Sequence, residues 1–349
     1  MAVVFHPAVG APTRPRVSVC IANYNGEAMI VDCIESVLAQ NSGAAIEILV
    51  HDDASTDASV MVLRQRYPQV RLILSNENVG FCIANNRMVE TARGEYVLLL
   101  NNDAALFPDA VRELISVAEC IQTPAILTVP QHDWKTGALV DRGCLLDPFY
   151  IPVPNLDVWR HDVAYVIGAC LWIPRKTWHE LGGFPEWFGS IAEDMYLCCA
   201  ARLRAFPVRC IGASGYRHRQ GASFGGNRIG NGRLRTRYVR RYLSERNRLA
   251  VLMVCMPTHL MWPWLFVHVA TLVAEGLLLC VWMRTLRPWR HIYAPSLLNA
   301  WMQRPLLLEL RRRKQFGRKI GLKVYFSRFT WLPRKLALLC RHGMPELQH

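Results

Sequence analysis

Tyr96-Val-Leu-Leu-Leu-Asn-Asn-Asp-Ala-Ala-Leu106 decides how the chain folds. Its first five residues are apolar without alternation, the pattern of a short strand buried on both faces. Gly94 precedes the run, and three polar residues, Asn101, Asn102 and Asp103, stop it abruptly. Pro108 then predicts the first turn of a helix. Open α/β sheets bind ligands beyond the carboxyl ends of their strands. An acid at this tip is therefore placed to hold a divalent metal, and through it a phosphate. Capping of the following helix is the competing reading of the same three residues.

Upstream, the same grammar repeats. Residues 16–22 read as a strand ending at Asn23-Tyr24-Asn25-Gly26, followed by a helix over 28–40 with Ile30, Ile34, Val37 and Leu38 on one face. Residues 45–50 read as the next strand, and it too ends in acids, at His51-Asp52-Asp53. Ser55 or Asp57 can cap the helix that runs on to Tyr67, which Pro68 ends. A third strand over 70–74 leads through Asn76-Glu-Asn-Val-Gly80 into a helix containing Asn85 and Asn86. Strands alternating with helices at short spacing predict a mainly parallel sheet with right-handed connections and helices on both faces. Two of the strands carry Asp at the same edge, which capping explains less easily than it explains either end alone.

Neither G-x-G-x-x-G nor a P-loop follows any of these strands. Nucleotide phosphates would then be neutralised by a metal at Asp103, while Asp52 and Asp53 could accept hydrogen bonds from a nucleobase or ribose. Further on, residues 166–174 read as a strand and Leu181-Gly-Gly-Phe-Pro185 as a tight turn. Glu193-Asp194 opens an otherwise apolar helix, where the dipole favours carboxylates and simple capping is an alternative.

The net charge of +14 is unevenly spread. Residues 1–216 carry −7, residues 217–283 carry +8, and residues 284–349 carry +13. An acidic body with a basic final third implies an anionic partner, either nucleic acid or a membrane surface. Residues 260–283 are long enough to cross a bilayer, but Pro263, His268 and Glu275 keep an interfacial or re-entrant helix in contention. Beyond them, arginines and lysines interleave with Trp289, Trp301, Phe316, Phe326 and Trp331, a composition suited to anionic headgroups. The twelve cysteines show neither CxxC nor zinc-like spacing, which fits reduced thiols in the cytoplasm. Residues 1–15, rich in Pro and Ala and without a long apolar core, read as a mobile extension and not as a signal peptide.

Taken in order, Val17-Ser-Val-Cys-Ile-Ala-Asn-Tyr-Asn25, Val50-His-Asp-Asp-Ala-Ser-Thr-Asp57, Asn78-Val-Gly-Phe81 and Leu99-Leu-Asn-Asn-Asp103 closely resemble the family 2 glycosyltransferases of the GT-A fold, over about residues 16–250. The resemblance implies a nucleotide and donor site at Ala22, Asn23, Tyr24, Asn25, Asp52, Asp53, Gly80, Asn85, Asn101 and Asn102. It implies Mg²⁺ or Mn²⁺ on Asp103, the last acid of a D-x-D-like motif, with Asn101 standing where the family often has Asp. It makes Asp194, beside Glu193, the general base of an inverting transfer, although Tyr196 and Ala200 depart from the family pattern. Trp187 and Phe188 become candidates for stacking on an acceptor sugar, and His218, in Tyr216-Arg-His-Arg219, for completing the metal shell.

These expectations describe a GT-A catalytic domain over 16–257 and membrane-associating helices over 258–349. The enzyme would transfer a sugar from a nucleotide-diphosphate donor to a glycan or polyprenyl-linked acceptor at the cytoplasmic face of the cell membrane. Similarity to rhamnosyltransferase-like bacterial members adds a role in surface polysaccharide synthesis. A nucleotidyltransferase is the rival enzyme, and it lacks a triphosphate-binding loop. A non-catalytic sugar-nucleotide or nucleic-acid-binding protein is the rival from another class. The intact Asp103 and Glu193-Asp194 disfavour it.

Overall fold

A computed structural model describes residues 3–221, 228–230, 233–257 and 260–348. Two compact units divide the chain. The first comprises 1–144, 154–201 and 206–223; the second comprises 145–153, 202–205 and 224–349.

The first unit is built on strands β1 (Val3–His6), β2 (Val17–Asn23), β3 (Ile46–Asp52), β4 (Val70–Ser75) and β5 (Tyr96–Leu100). Between them run helices α1 (Glu27–Leu38), α2 (Ser59–Arg66) and α3 (Phe81–Thr91). Strands β2, β3, β4 and β5 pair in parallel, in the order β4-β3-β2-β5. All five residues of β5 are buried, as their unbroken apolar run requires. On one side, Val19, Ile21, Ile48, Val50, Leu98 and Leu100 share a core with Ile30 and Ile34 of α1 and Leu63 of α2. Residues of opposite parity, Cys20, Leu49 and Leu99, are fully buried too, and α3 packs against β2 and β3.

Further strands extend the sheet: β7 (Ile126–Thr128), β12 (Cys170–Pro174) and β13 (Val208–Cys210). β12 lies antiparallel between β5 and β7, and β13 is parallel to β7. A second sheet has the order β6-β14-β8-β9, from β6 (Ala104–Leu106), β8 (Gln131–Asp133), β9 (Leu139–Asp141) and β14 (Tyr216–His218).

Several expectations are corrected. The supposed mobile extension contributes β1, which pairs antiparallel with β4, because the edge of β4 offers unpaired backbone groups to any extended segment. Pro108 does not begin a helix: residues 104–106 first pair with β14, and helix α4 (Ala110–Cys120) starts only after Asp109. The strand expected over 166–174 is confined to 170–174.

Gly94 is fixed by close approach. Its N–H donates to Ser18 Oγ at 2.8 Å, and a Cβ here would lie 2.7 Å from the Ser18 backbone nitrogen and 2.9 Å from the Tyr96 carbonyl oxygen. Backbone cannot yield as a side chain can, so Gly94→Ala should cost about 1–3 kcal/mol. Chemical denaturation measures this, and an unchanged midpoint would refute the tight fit.

The second unit is helical, with α7 (Tyr238–Cys255), α8 (Met261–Trp282), α9 (Ala294–Met302), α10 (Arg304–Phe316), α11 (Leu322–Phe326) and α12 (Arg334–His342). Tyr238 and Leu249 of α7 pack with Leu272 and Leu279 of α8 and with Ile292 and Tyr293. The domain boundary expected at 257 therefore falls earlier, because α7 belongs with the helices that follow it. Residues 233–237, just before α7, form a strand paired with 346–348. Among the described residues, α8 is the one helix long and apolar enough to cross a membrane.

Candidate active site

Parallel register sets the tips of β2 and β3 side by side, with Asn23 opposite Asp52. A buried hydrogen-bond chain then crosses three strands. Asn102 Nδ2 donates to Asn23 Oδ1 at 2.9 Å, and Asn23 Nδ2 donates to Asp52 Oδ2 at 2.9 Å. Asp52 also receives the Ser55 N–H at 2.9 Å and hydroxyl at 2.7 Å. Ser55 Oγ in turn accepts the Asn25 N–H at 2.8 Å. Asn25 sits at φ 48°, a left-handed conformation that Asn tolerates, and its Oδ1 accepts the Thr56 N–H at 2.8 Å. Ala22 is half-buried beside this network, and Tyr24 projects from it half exposed.

Asp53 serves a different loop. Its two oxygens accept the N–H groups of Val79 at 2.7 Å and Gly80 at 2.8 Å. Burial raises its pKa while those two N–H groups pull it down. Both acids at the end of β3 are thus spent first on holding the rim, with only remaining lone pairs for a ligand. Gly80, at φ 87°, passes close to Gly189, whose carbonyl accepts the Cys82 N–H at 3.0 Å. Asn85 is fully buried, and its amide donates to the Phe81 carbonyl within its own helix at 2.8 Å. That bond gives the Asn85 amide nitrogen a structural task.

At the tip of β5, the Asn101 N–H donates to the Ala169 carbonyl at 3.0 Å, and the Asn101 carbonyl accepts the Cys33 thiol at 3.3 Å. Asn101 Oδ1 is buried with no hydrogen-bond partner among the described residues. Asp103 and His218 are brought together, His218 Nε2 lying 3.0 Å from Asp103 Oδ1. The pairing of β6 with β14, which sets Ala104 opposite His218, produces this contact. On its other side, His218 Nδ1 is 3.3 Å from Gln131 Oε1, which also accepts the Tyr216 hydroxyl at 2.7 Å. One ring nitrogen, Nδ1, thus faces an amide oxygen, and the other, Nε2, faces Asp103. Asp141, opposite Gln131 on β9, is pushed up to about 7 by burial, against the opposing effects of the Gly143 N–H and His218. Arg219 is pinned by Asp32 and lies 3.8 Å above the Trp134 ring, whereas Arg217 is exposed.

Glu193 and Asp194 open helix α6 (Glu193–Leu203), both buried. Asp194 Oδ2 accepts the Gly168 N–H at 2.9 Å, and Oδ1 accepts the Met195 N–H at 2.6 Å. Gly168 immediately precedes Ala169, the partner of Asn101. Asp194 is thereby tied to the same edge of the sheet as the Asn101-Asn102-Asp103 tip. Trp187 is half-buried; Phe188 is fully buried, edge-on to Trp187 and Tyr196. Phe188 is a core residue and not an acceptor platform, because the turn over 186–188 directs it inward. Phe188→Ala should cost about 3–5 kcal/mol. An equilibrium melt in denaturant checks this, and an unchanged midpoint would contradict the core assignment.

Gln131 and Gly168 escaped the sequence reading. Gln131 sits in a three-residue strand without a recognisable pattern. Gly168 did leave a signal: a glycine in an apparent strand often marks a close backbone approach.

Residues 18–181 match the family described as Glycosyl transferase family 2. Over those residues the chain is similar to the family 2 glycosyl transferases. Chondroitin synthase of Escherichia coli is 41% identical to it over 188 residues, covering 52% of this chain and 26% of that protein. The chain spans about a quarter of the length of the first curated relatives it matches. Among solved structures, S. aureus TarS 1–349 in complex with UDP-GlcNAc aligns with TM-score 0.55 at 16% identity, covering 86% of this chain and 89% of that one. GalNAc-T7 with UDP, GalNAc and Mn²⁺ aligns with TM-score 0.53 at 14% identity, covering 69% and 48%. These likenesses establish the GT-A fold, with a helical region following the matched residues.

Proposed function

We propose that the chain moves a sugar, with inversion, from a nucleotide-diphosphate donor to a hydroxyl of a glycan or polyprenyl-linked acceptor, in the synthesis of a cell-surface polysaccharide. The observation that carries this reading is the tie from Asp194 through Gly168 to the strand tip bearing Asp103. One carboxylate suited to proton removal and one suited to a phosphate-bound cation share one sheet edge. Asp194 takes the acceptor hydroxyl proton as that oxygen attacks the anomeric carbon, and its two backbone N–H partners fix the direction it faces. Tyr24, exposed beside Asn23, is the ring positioned for the base, with the Asn23–Asp52 chain and Asp53 shaping the rim beneath it. Asn101 Oδ1 is an unspent acceptor for a donor hydroxyl. Trp187 remains the candidate platform for acceptor sugar.

The donor set at Asp103 and His218 fits Mg²⁺ or Mn²⁺. A carboxylate oxygen and an imidazole nitrogen converge, and Gln131 holds the opposite face of the ring as a metal-binding histidine requires. Among the described residues no group of three or more His, Cys, Asp or Glu is assembled, so diphosphate and water would supply the remaining ligands. When bound, such an ion offsets charge developing on the departing nucleoside diphosphate. The Mn²⁺ in the GalNAc-T7 structure and the nucleotide sugar in that of TarS support the assignment, as does the name of the chondroitin synthase relative.

The apolar α8 and the +13 carried by residues 284–349 favour the cytoplasmic surface of the membrane, where a lipid-linked acceptor is presented. The test is to incubate purified full-length protein with Mn²⁺ and a panel of nucleotide sugars, including UDP-GlcNAc and dTDP-rhamnose, and to measure nucleoside diphosphate release. One donor should be turned over. Binding without turnover across the panel and a range of acceptors would leave a sugar-nucleotide-binding protein instead.

A further inference from the structure

Helix α8 is inside out for a helix on a water-soluble surface, which would turn its apolar stripe inward and its polar side outward. Its ionisable groups face the interior of its unit. His268 is buried with Leu272 and Leu279, and Glu275 pairs with Arg241 of α7 at 2.5 Å and with Lys335 of α12. Gly276 lies on the same side, where a Cβ would come within 2.9 Å of Trp289 and Tyr293. The opposite side is open along the whole helix and apolar apart from Thr271, whose hydroxyl donates to the His268 carbonyl at 2.7 Å. Trp262, Phe266, Leu277, Leu278, Val281 and Trp282 are each more than half exposed. No Asp, Glu, Lys or Arg interrupts that side.

We infer that α8 lies in the plane of an anionic membrane surface, with its open side among the acyl chains, and does not cross the bilayer. The inference rests on the membrane localisation proposed above and adds how it is achieved. Length does not decide the question, since 22 residues would span. The neighbour of α8 decides it. Arg241 meets Glu275, and α7 and α8 share a core through Tyr238, Leu249, Leu272 and Leu279. A spanning α8 would carry α7 into the hydrocarbon together with Arg240, Arg241, Glu245, Arg246 and Arg248, and charges at that depth are costly. An in-plane α8 leaves α7 on the aqueous side and buries only the open apolar face.

The occupant follows from the flanks. Tryptophan at each end suits the headgroup level. Arg284, Arg287 and Arg290, all exposed, follow directly after Trp282 and open the segment of charge +13. An acidic lipid surface complements that charge; a second copy of the same basic segment would repel it.

The test uses the full chain with a C-terminal epitope, floated with vesicles containing phosphatidylglycerol or with phosphatidylcholine alone. Binding should require phosphatidylglycerol, and protease added outside should remove the epitope from bound protein. Phe266→Glu with Val281→Glu should weaken flotation more than tenfold while UDP binding persists. If that variant fails to fold, Phe266→Ala with Val281→Ala should weaken it several-fold. An epitope protected until detergent is added means that α8 spans, which overturns the in-plane arrangement and leaves the localisation standing. Absence of flotation by the wild type overturns both. A lipid-free dimer that the double substitution dissociates assigns the face to a second copy and overturns the inference.

Discussion

Asp194→Asn is expected to abolish transfer, by roughly 10²-fold or more in kcat, while donor binding stays within a few-fold of wild type. The amide preserves volume and removes basicity. It does not preserve the whole environment, because both carboxylate oxygens accept backbone N–H groups, from Gly168 and Met195. An amide can accept only one of the two, so a stability loss of about 1–3 kcal/mol should accompany the substitution. That loss and the rate loss are separable. Melting in denaturant reports the first; nucleoside diphosphate release at saturating donor and acceptor reports the second. A purely capping Asp194 predicts the stability loss with near wild-type turnover, and that result would remove the base from the proposed mechanism.

The sheet was legible where the sequence is monotonous, and the site was legible only at its strand tips. Strand β5 was located to the residue, because an uninterrupted apolar run permits no other buried element of that length. The acids at Asp52 and Asp103 stood out for the same reason, as polar residues ending apolar strands. What they touch was not legible. Whether Asn102 reaches Asn23, or Gln131 reaches His218, depends on which strands become neighbours and in what register, and one residue of slip would undo either contact. Asp53 was read as free for ligand although the Val79 and Gly80 N–H groups occupy it, because the loop after β4 carries no mark of needing an anchor. The early domain boundary was hidden by charge. Helix α7 looks like a solvated basic helix, yet Arg241 and Arg248 pair with Glu245, which is fully buried and also receives Lys335 at 2.9 Å. Buried ion pairs from distant segments are invisible in a count of local charge.

Asp103→Ala is expected to remove the Mn²⁺ enhancement of nucleotide binding, weakening UDP affinity in the presence of Mn²⁺ by roughly tenfold or more while metal-free affinity changes little. The expected size reflects how few side chains are assembled: among the described residues His218 meets Asp103, and no group of three or more His, Cys, Asp or Glu forms. The substitution also strips His218 Nε2 of its carboxylate, at a cost of about 1–3 kcal/mol for a buried polar group left unmatched. Asp103→Asn supplies the control, since its amide oxygen can still accept from the ring but lacks the charge that attracts a cation. Both variants should lose the metal enhancement, and Asp103→Asn should melt closer to wild type. Calorimetric titration of UDP with and without Mn²⁺ measures the binding arm. Should Asp103→Ala keep the full enhancement, Asp103 would be a structural partner of His218 alone, and the cation would have to be sought elsewhere along the strand tips.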